Sequence, residues 1–343
     1  MSRKALITGI SGQDGYFLSR LLLGKGYEVH GLVRRNSQKS LGSLARLPKE
    51  ERTKIRVHWG DIIDACFINT TLAEGRYDEI YHLAAQSFVA LSFTNPKATY
   101  DININGTLNM VNAVREYSAH SKFYFAATSE LYGKSKMFPQ TEETPFYPRS
   151  PYGISKLAGF WTVKNYRESY DLFMSNGILF NHESEVRGEE FVTRKISLSV
   201  ANITVGKQEY LEIGNLDSKR DWGYAADYVE GMWRMLQQER SDDFVLATGE
   251  SHTIREFVER AFLVTGKTVV WEGVGVDEIG KDKSTGKVLV KVDPQYFRPA
   301  EVEELLGDYS KAKAKLAWQP SVTFDGLVKL MVESDIGTLK AQR

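Results

Sequence analysis

Apolar residues follow two rhythms along this chain. Through the first half, short runs rich in β-branched and aromatic residues alternate with longer stretches whose apolar positions recur three and four apart, the pattern of a parallel sheet assembled from βαβ units. The runs at 4–8, 28–33, 56–61, 79–84, 123–128 and 173–181 read as its strands. Between the fourth and fifth, the segment 95–117 carries Ile104, Leu108, Val111 and Val114 at helical spacing and is predicted to lay that face on the sheet. Beyond Asn181 the rhythm breaks into isolated helices, at 227–238 and 254–265, between short strands and Gly- and Lys-rich turns. This predicts a smaller mixed α/β lobe and two units, 1–181 and 182–343, with some exchange of chain between them. The lysines of 281–291 mark a solvated loop or hairpin, and no internal repeat or low-complexity tract is present.

Composition narrows the class. At 42% hydrophobic and 26% charged residues the chain is ordinary globular material, which excludes disorder, collagen and a membrane bundle. Its 44 Lys and Arg balance 44 Asp and Glu, so no global positive field holds a nucleic acid, and any phosphate must be gripped locally. The single cysteine, Cys66, cannot form an intrachain disulfide; it suits a reducing compartment and is expected to be a small buried hydrophobe. Met1-Ser2-Arg3-Lys4 leads straight into the first apolar run, and no stretch approaches the ~20 apolar residues of a spanning helix, so a cytoplasmic protein with no membrane partner is expected.

Gly9, Gly12 and Gly15 form G-x-x-G-x-x-G directly after the first strand, opening a helix whose Leu18, Leu21 and Leu22 are predicted to face inward. Glycines in that context permit a tight turn and close backbone approach to a pyrophosphate, which rests on the unpaired N–H groups of the helix start; Gln13 and Asp14 lie within the same turn. The fold class expected is therefore α/β, a Rossmann-type doubly wound parallel sheet with the smaller mixed lobe appended. Where NAD-preferring folds carry an acid after the second strand, this chain has Arg34-Arg35-Asn36, and paired guanidiniums suit the extra phosphate of NADP. Two solvated surface arginines are the plain alternative. Topology puts Asp61 and Ile62 beside the adenine, Asp61 serving equally well as a helix N-cap. Leu83, Ala84, Ala85 and Ser87 would pass under the pyrophosphate and nicotinamide.

Tyr152 and Lys156 sit four apart at the head of a helical run, 152–170, and so share one face, where an ammonium would lower the phenol's pKa and make it a base. Tyr132 with Lys136 and Tyr309 with Lys313 match the spacing too, but one lies in a polar loop before Gly133 and the other near the C-terminus, far along the chain from the nucleotide half. The fifth strand ends in Thr128-Ser129-Glu130, at the sheet edge where open α/β folds place ligands. Thr128 suffices for a proton relay. Glu130 adds a carboxylate able to remove a carbon-bound proton, which points to elimination; a surface or capping carboxylate is its bland reading. No metal-ligand cluster is expected.

These segments resemble the extended short-chain dehydrogenase/reductases and, within them, the GDP-mannose 4,6-dehydratase branch. The likeness runs nearly the whole length, through Ile7-Thr8-Gly9 to Gly15, Val33-Arg34-Arg35, Thr128-Ser129-Glu130-Leu131-Tyr132-Gly133, Pro145 to Tyr152, Gly177 to Ser184, Phe191 to Lys195, Gly214-Asn215-Leu216-Asp217 with Lys219 to Trp222, and Arg298-Pro299 with Glu301-Val302. The resemblance implies Tyr152 as base at the C4 hydroxyl, Thr128 as its hydrogen-bond partner, Glu130 as base at C5, and Lys156 on the nicotinamide ribose. It implies His182 and Arg187 at an NADP site, and Asn181, Val192, Lys195, Arg220, Arg298 and Glu301 around a GDP-sugar. It also implies a homodimer or homotetramer. The chain departs from the family pattern at Glu185-Val186, where relatives carry Pro-Arg, at Ala98, where they carry tyrosine, and in a short 36–54 stretch. A nucleotide-sugar epimerase or 4-keto-reductase on the same scaffold, and a non-catalytic NADP-sensing protein, are the alternatives; the second would be expected to have lost Tyr152 or Lys156.

Overall fold

The computed structural model describes residues 2–296, 302 and 304–341. Its first half runs β1 (Lys4–Thr8), α1 (Gln13–Gly24), β2 (Glu28–Val33), α2 (Lys49–Arg52), β3 (Arg56–Trp59), α3 (Ala65–Gly75), β4 (Glu79–His82), α4 (Val89–Thr94), α5 (Pro96–Tyr100), α6 (Gly106–Tyr117), β5 (Lys122–Ala126), α7 (Pro151–Tyr170) and β6 (Met174–Leu179). The remainder runs β7 (Asn181–Glu183), α8 (Val192–Thr204), β8 (Leu211–Ile213), β9 (Lys219–Arg220), β10 (Trp222–Tyr224), α9 (Ala225–Leu236), β11 (Asp243–Leu246), β12 (His252–Thr253), α10 (Ile254–Val264), β13 (Val269–Glu272), β14 (Ile279–Asp282), β15 (Val288–Val292), α11 (Ser310–Leu316) and α12 (Phe324–Ala341).

Seven strands form one parallel sheet in the order β11-β6-β5-β4-β1-β2-β3, a Rossmann-type doubly wound arrangement whose winding reverses between β1 and β4. Side chains alternate across it. Ala5, Ile7, Tyr81 and Tyr124 pack under α1 and α9, while Leu6, Ile80, Phe123 and Phe125 pack with Val111, Val114 and Phe160 of α6 and α7. Truncating a wholly buried member such as Leu6 to alanine would cost about 3 kcal/mol. A third core joins α8, α10 and α12 to the mixed sheet β13-β14-β15-β8, and the 281–291 lysines fall on the β14–β15 hairpin. The seventh strand of the large sheet, β11, comes from beyond residue 181, as do α9 and α11 beside it.

Four expectations change. The third to sixth strands end two residues before the apolar runs do, because the chain leaves the sheet at its C-terminal edge; the last run splits after Leu179, and Asn181 starts β7, which pairs with β10 instead. The 95–117 helix is interrupted by a π-turn at Asp101–Asn105, whose extra residue rotates the face and leaves Leu108 39% exposed while Thr107, Met110, Val111 and Val114 are buried. That turn aims Asn103 inward, where its Oδ1 accepts from Gln86 N at 2.8 Å and its Nδ2 donates to Gln86 O at 3.0 Å and Ser155 Oγ at 2.9 Å. Cys66 is exposed, on the outer side of the first turn of α3. Tyr132, expected in a polar loop, is wholly buried against Phe146 and Phe180.

Candidate active site

A cavity of about 710 Å³ opens at the reversal between β1 and β4 and is walled on its far side by the second lobe. Its floor is the glycine turn. Gly9 has φ +70, and a Cβ there would lie 2.7 Å from Ala84 N; at Gly15 it would lie 2.3 Å from Ile10 O, so neither position has room for a side chain. Gly12 is the N-cap of α1 and offers no side chain, which leaves the first N–H groups of the helix uncapped at the cavity wall. Gly9, Gly12, Gln13, Asp14 and Gly15 all line the cavity, with Leu83, Ala85 and Ser87 from the end of β4. The donors are backbone and the walls are close, the requirement of a bound pyrophosphate.

Above this floor stand Thr128, Glu130, Tyr152 and Lys156, all buried and all on the same wall. Local sequence puts them there. Ser150 caps α7 by accepting from Gly153 N at 3.0 Å, Pro151 occupies the first turn, and a Cβ on Gly153 would sit 3.0 Å from the Glu130 carbonyl, so the helix docks tightly on the 129–131 turn. Thr128 Oγ1 accepts from Glu130 N at 3.2 Å and also bonds the Tyr152 phenol.

The expected lowering of the Tyr152 pKa is not what this site produces. Burial pushes the phenol up to about 12, with Glu130 adding to the rise and the Thr128 bond and the Arg187 charge opposing it. Burial also pushes Lys156 down to about 7, and its Nζ lies over the Phe125 ring at 4.2 Å. Helical spacing places the two side chains on one face, but dehydration taxes both charged forms at once.

The opposite wall belongs to the second lobe. Asn181 and His182 are presented by the β7–β10 pair, and Val192 and Lys195 by the first turn of α8; all four line the cavity with Arg187 and Arg220. His182 is fixed on both sides: Nδ1 bonds Phe180 O at 2.8 Å, Nε2 meets Asp14 Oδ2 at 2.9 Å, and its ring stacks on Tyr228 at 4.6 Å. Burial opposes charge on both, yet the His182 charge and bond, Arg187 and Gln13 hold the Asp14 carboxyl below its ordinary range, and Asp14 holds His182 above its own. Lys195 Nζ sits 3.2 Å from the centre of the Tyr296 ring. Asp221, beside Arg220, is pushed up to about 6 by burial and accepts from Thr248 N, Thr248 Oγ1, Gly249 N and Gly307 N at 2.7 to 3.3 Å, tying three segments together.

Six expected residues stand off the cavity wall. Arg34, Arg35 and Asn36 are exposed just past β2, with Asn36 Oδ1 accepting from Ser40 N. Asp61 Oδ1 accepts from Ile63 N, and the α3 cap is Asp64 instead, bonded by Phe67 N. Ile62 is core, pressed against Gly106, and the Ala84 N–H is taken by Thr8 Oγ1. Arg298 and Glu301 lie outside the described residues. Of the competing Tyr–Lys pairs, Tyr309 packs on Trp318 against the large sheet's own core, near the nucleotide half in space though not in the chain, and neither tyrosine lines the cavity. The sequence reading missed Phe88, Glu183, Phe191 and Tyr296 on the wall; no periodicity distinguishes them, since each lies at an element boundary. Among the described residues no cluster suits a metal ion, and no helix is long and apolar enough to cross a membrane.

The profile of the GDP-mannose 4,6 dehydratase family matches residues 6–331. The GDP-mannose 4,6 dehydratase of Homo sapiens is 53% identical over 342 residues, covering 98% of this chain and 92% of the human one. That of Vibrio cholerae is 48% identical over 351 residues, covering 98% and 94%. Among solved structures, UDP-glucose 4-epimerase of Thermus thermophilus in complex with NAD superposes with a TM-score of 0.80 at 25% identity, covering 97% of this chain and 99% of that one.

Proposed function

This chain belongs to the GDP-mannose 4,6-dehydratase family, and from that membership we propose that it converts GDP-mannose to GDP-4-keto-6-deoxymannose with a resident NADP. The observation that carries the reading is the convergence of Thr128, Glu130, Tyr152 and Lys156 on one wall of a cavity floored by an uncapped helix start and faced by Lys195 and Arg220. Gly9, Gly12, Gln13, Asp14, Gly15, His182 and Arg187 hold the dinucleotide, Leu83, Ala85 and Ser87 lie under it, and Lys156 takes its ribose. Arg34 and Arg35, exposed at the end of β2, take the 2′-phosphate by fork contacts, which is the reason for NADP over NAD. Asn181, Val192, Lys195 and Arg220 hold the GDP-sugar.

When bound, the nicotinamide would supply a reversible acceptor for the C4 hydride, returned to C6 so that no net NADPH forms. Tyr152 removes the C4 hydroxyl proton, with Thr128 bonded to the reacting oxygen. The C4 ketone acidifies the proton on C5; Glu130 removes it and protonates the departing C6 hydroxyl, which leaves as water, and C5 regains a proton as the resulting C5–C6 double bond is reduced. A phenol that burial pushes up needs a cation beside it to ionise, and burial works against the Lys156 charge as well. The exposed Leu108, Ile154 and Trp161 on the neighbouring helices α6 and α7 support assembly as a homodimer or homotetramer, and a lone cysteine suits the cytoplasm.

Incubating the protein with GDP-mannose and NADP is expected to yield a 4-keto-6-deoxy product with no net NADPH. Steady NADPH release would mark an ordinary dehydrogenase and overturn the reading. Glu130→Gln should bind the sugar nucleotide and fail to eliminate; undiminished product from that variant removes Glu130 from the mechanism.

A further inference from the structure

One buried carboxylate in the cavity wall has no part in the chemistry above. Glu183, at the end of β7, is 2% exposed and lines the cavity. Its Oε2 accepts a 2.6 Å hydrogen bond from Thr193 Oγ1 in the first turn of α8 and lies 3.0 Å from Arg187 Nε. The Nε–H points off that line, so the contact with Arg187 is an ion pair and not a directed hydrogen bond. The guanidinium also covers the Phe191 ring, 3.6 Å from its centre, and Phe191 in turn meets Phe88 of the first lobe edge to face at 6.1 Å.

Arg187 therefore stands between a carboxylate and a ring, on a segment, 184–191, that has no strand or helix of its own. Such a segment gives a long side chain no fixed direction; its neighbours must. The segment is stitched to the glycine-turn side of the molecule, where Ser184 Oγ donates to Gln13 Oε1 at 2.7 Å and Arg46 Nη1 donates to the Glu185 carbonyl at 2.9 Å. Those bonds hold the backbone. Among the described residues, Glu183 and Phe191 are the direct contacts of the guanidinium, and an unpaired carboxylate so deeply buried would be costly.

We propose that Glu183 is a positioning residue: its carboxylate fixes the Arg187 guanidinium on the cavity wall, where it meets an anionic group of the bound dinucleotide. This rests on the reading that the cavity holds that cofactor. The Arg187 charge reaches three other cavity groups, opposing ionisation of His182 to the imidazolium and favouring the charged forms of Asp14 and Tyr152, so a misplaced guanidinium would be felt on both walls.

The test is a double-mutant cycle read by NADPH fluorescence, without sugar nucleotide, so that it does not depend on dehydration. Glu183→Gln, which keeps an oxygen for Thr193 and removes the charge, is expected to weaken NADPH binding roughly tenfold, as Arg187→Ala does. In the Arg187→Ala background Glu183→Gln should add less than about twofold, and Thr193→Val alone should also change affinity by less than about twofold. Glu183→Asp, which keeps the charge one methylene short, should fall in between and serves if the glutamine variant does not fold. Wild-type affinity in Glu183→Gln, losses that multiply in the double variant, or a Thr193→Val loss equal to that of Glu183→Gln would each overturn the proposal. Wild-type protein that takes up no NADPH would sink the cofactor reading beneath it.

Discussion

The wall that carries Thr128, Glu130 and Tyr152 grows from β5 and α7, whose neighbours in the sheet core are wholly buried, whereas the wall that carries Asn181, Lys195 and Arg220 consists of strands of two or three residues and the first turn of a helix. The first draws its position from packing in a core it shares with five other strands. The second packs around a separate core and is registered against the first by the Phe88–Phe191 ring contact and by polar ties: Asp14 with His182, Gln13 with Ser184, and Asp221 with the loops at 248–249 and 307. Packing is insensitive to pH; polar ties are not. In the function proposed above, chemistry falls to the stiff wall and recognition to the wall that polar ties hold in place.

Breaking the stiff wall at its reactive atom should have the largest effect. Tyr152→Phe keeps the ring in its packed position and is expected to lower kcat by about 10³-fold or more, with the KM for GDP-mannose little changed, in a product assay. Breaking a tie should cost stability. Asp14→Ala is expected to remove about 3 kcal/mol from the unfolding free energy in urea. The loss should be greater at pH 6 than at pH 9: a raised His182 pKa contributes stability that is complete below the unfolded value of 6.5 and disappears as pH climbs through the folded one.

His82, inside the stiff wall, should show the opposite sign. It is bonded to Thr8 Oγ1 and Thr107 Oγ1, and burial, with the Lys156 charge, pushes it down to about 3. Its neutral form is favoured, so its contribution is complete above 6.5 and is lost as pH falls from 6.5 towards 3. Between pH 6.5 and 4.5 His82→Gln should lose roughly 2 kcal/mol less than the parent, measured as the difference in urea unfolding curves. Equal slopes would mean that the imidazole is not held neutral by the core. The smallest effect is expected at the recognition wall: Lys195→Ala should raise the KM for GDP-mannose about tenfold and leave kcat nearly unchanged, and an equal fall in kcat would show that the two walls are not separable in function.

Several of these features were legible residue by residue. The first two strands, the glycine turn and the helix headed by Tyr152 follow from local rules, since periodicity, a serine cap and a proline in the first turn all act within a few residues. Leu108, Cys66 and Tyr132 were misread because exposure is set by what packs opposite: a single π-turn rotates one helix face, and a tyrosine in a polar-looking loop finds an aromatic pocket. The Glu183–Arg187 pair gave no signal, as its four-residue spacing spans a strand end and a turn instead of a helix.

By itself the sequence determined the parallel α/β sheet and the glycine turn that follows its first strand, because these depend on side-chain period and on backbone freedom that each residue carries with it. Only the tertiary structure decided which of three Tyr–Lys pairs meets a cavity, which charges pair across it, and that Tyr152 and Lys156 are both driven towards neutrality. Those outcomes depend on how much water is excluded around each group, and that is a property of neighbours brought together from distant parts of the chain.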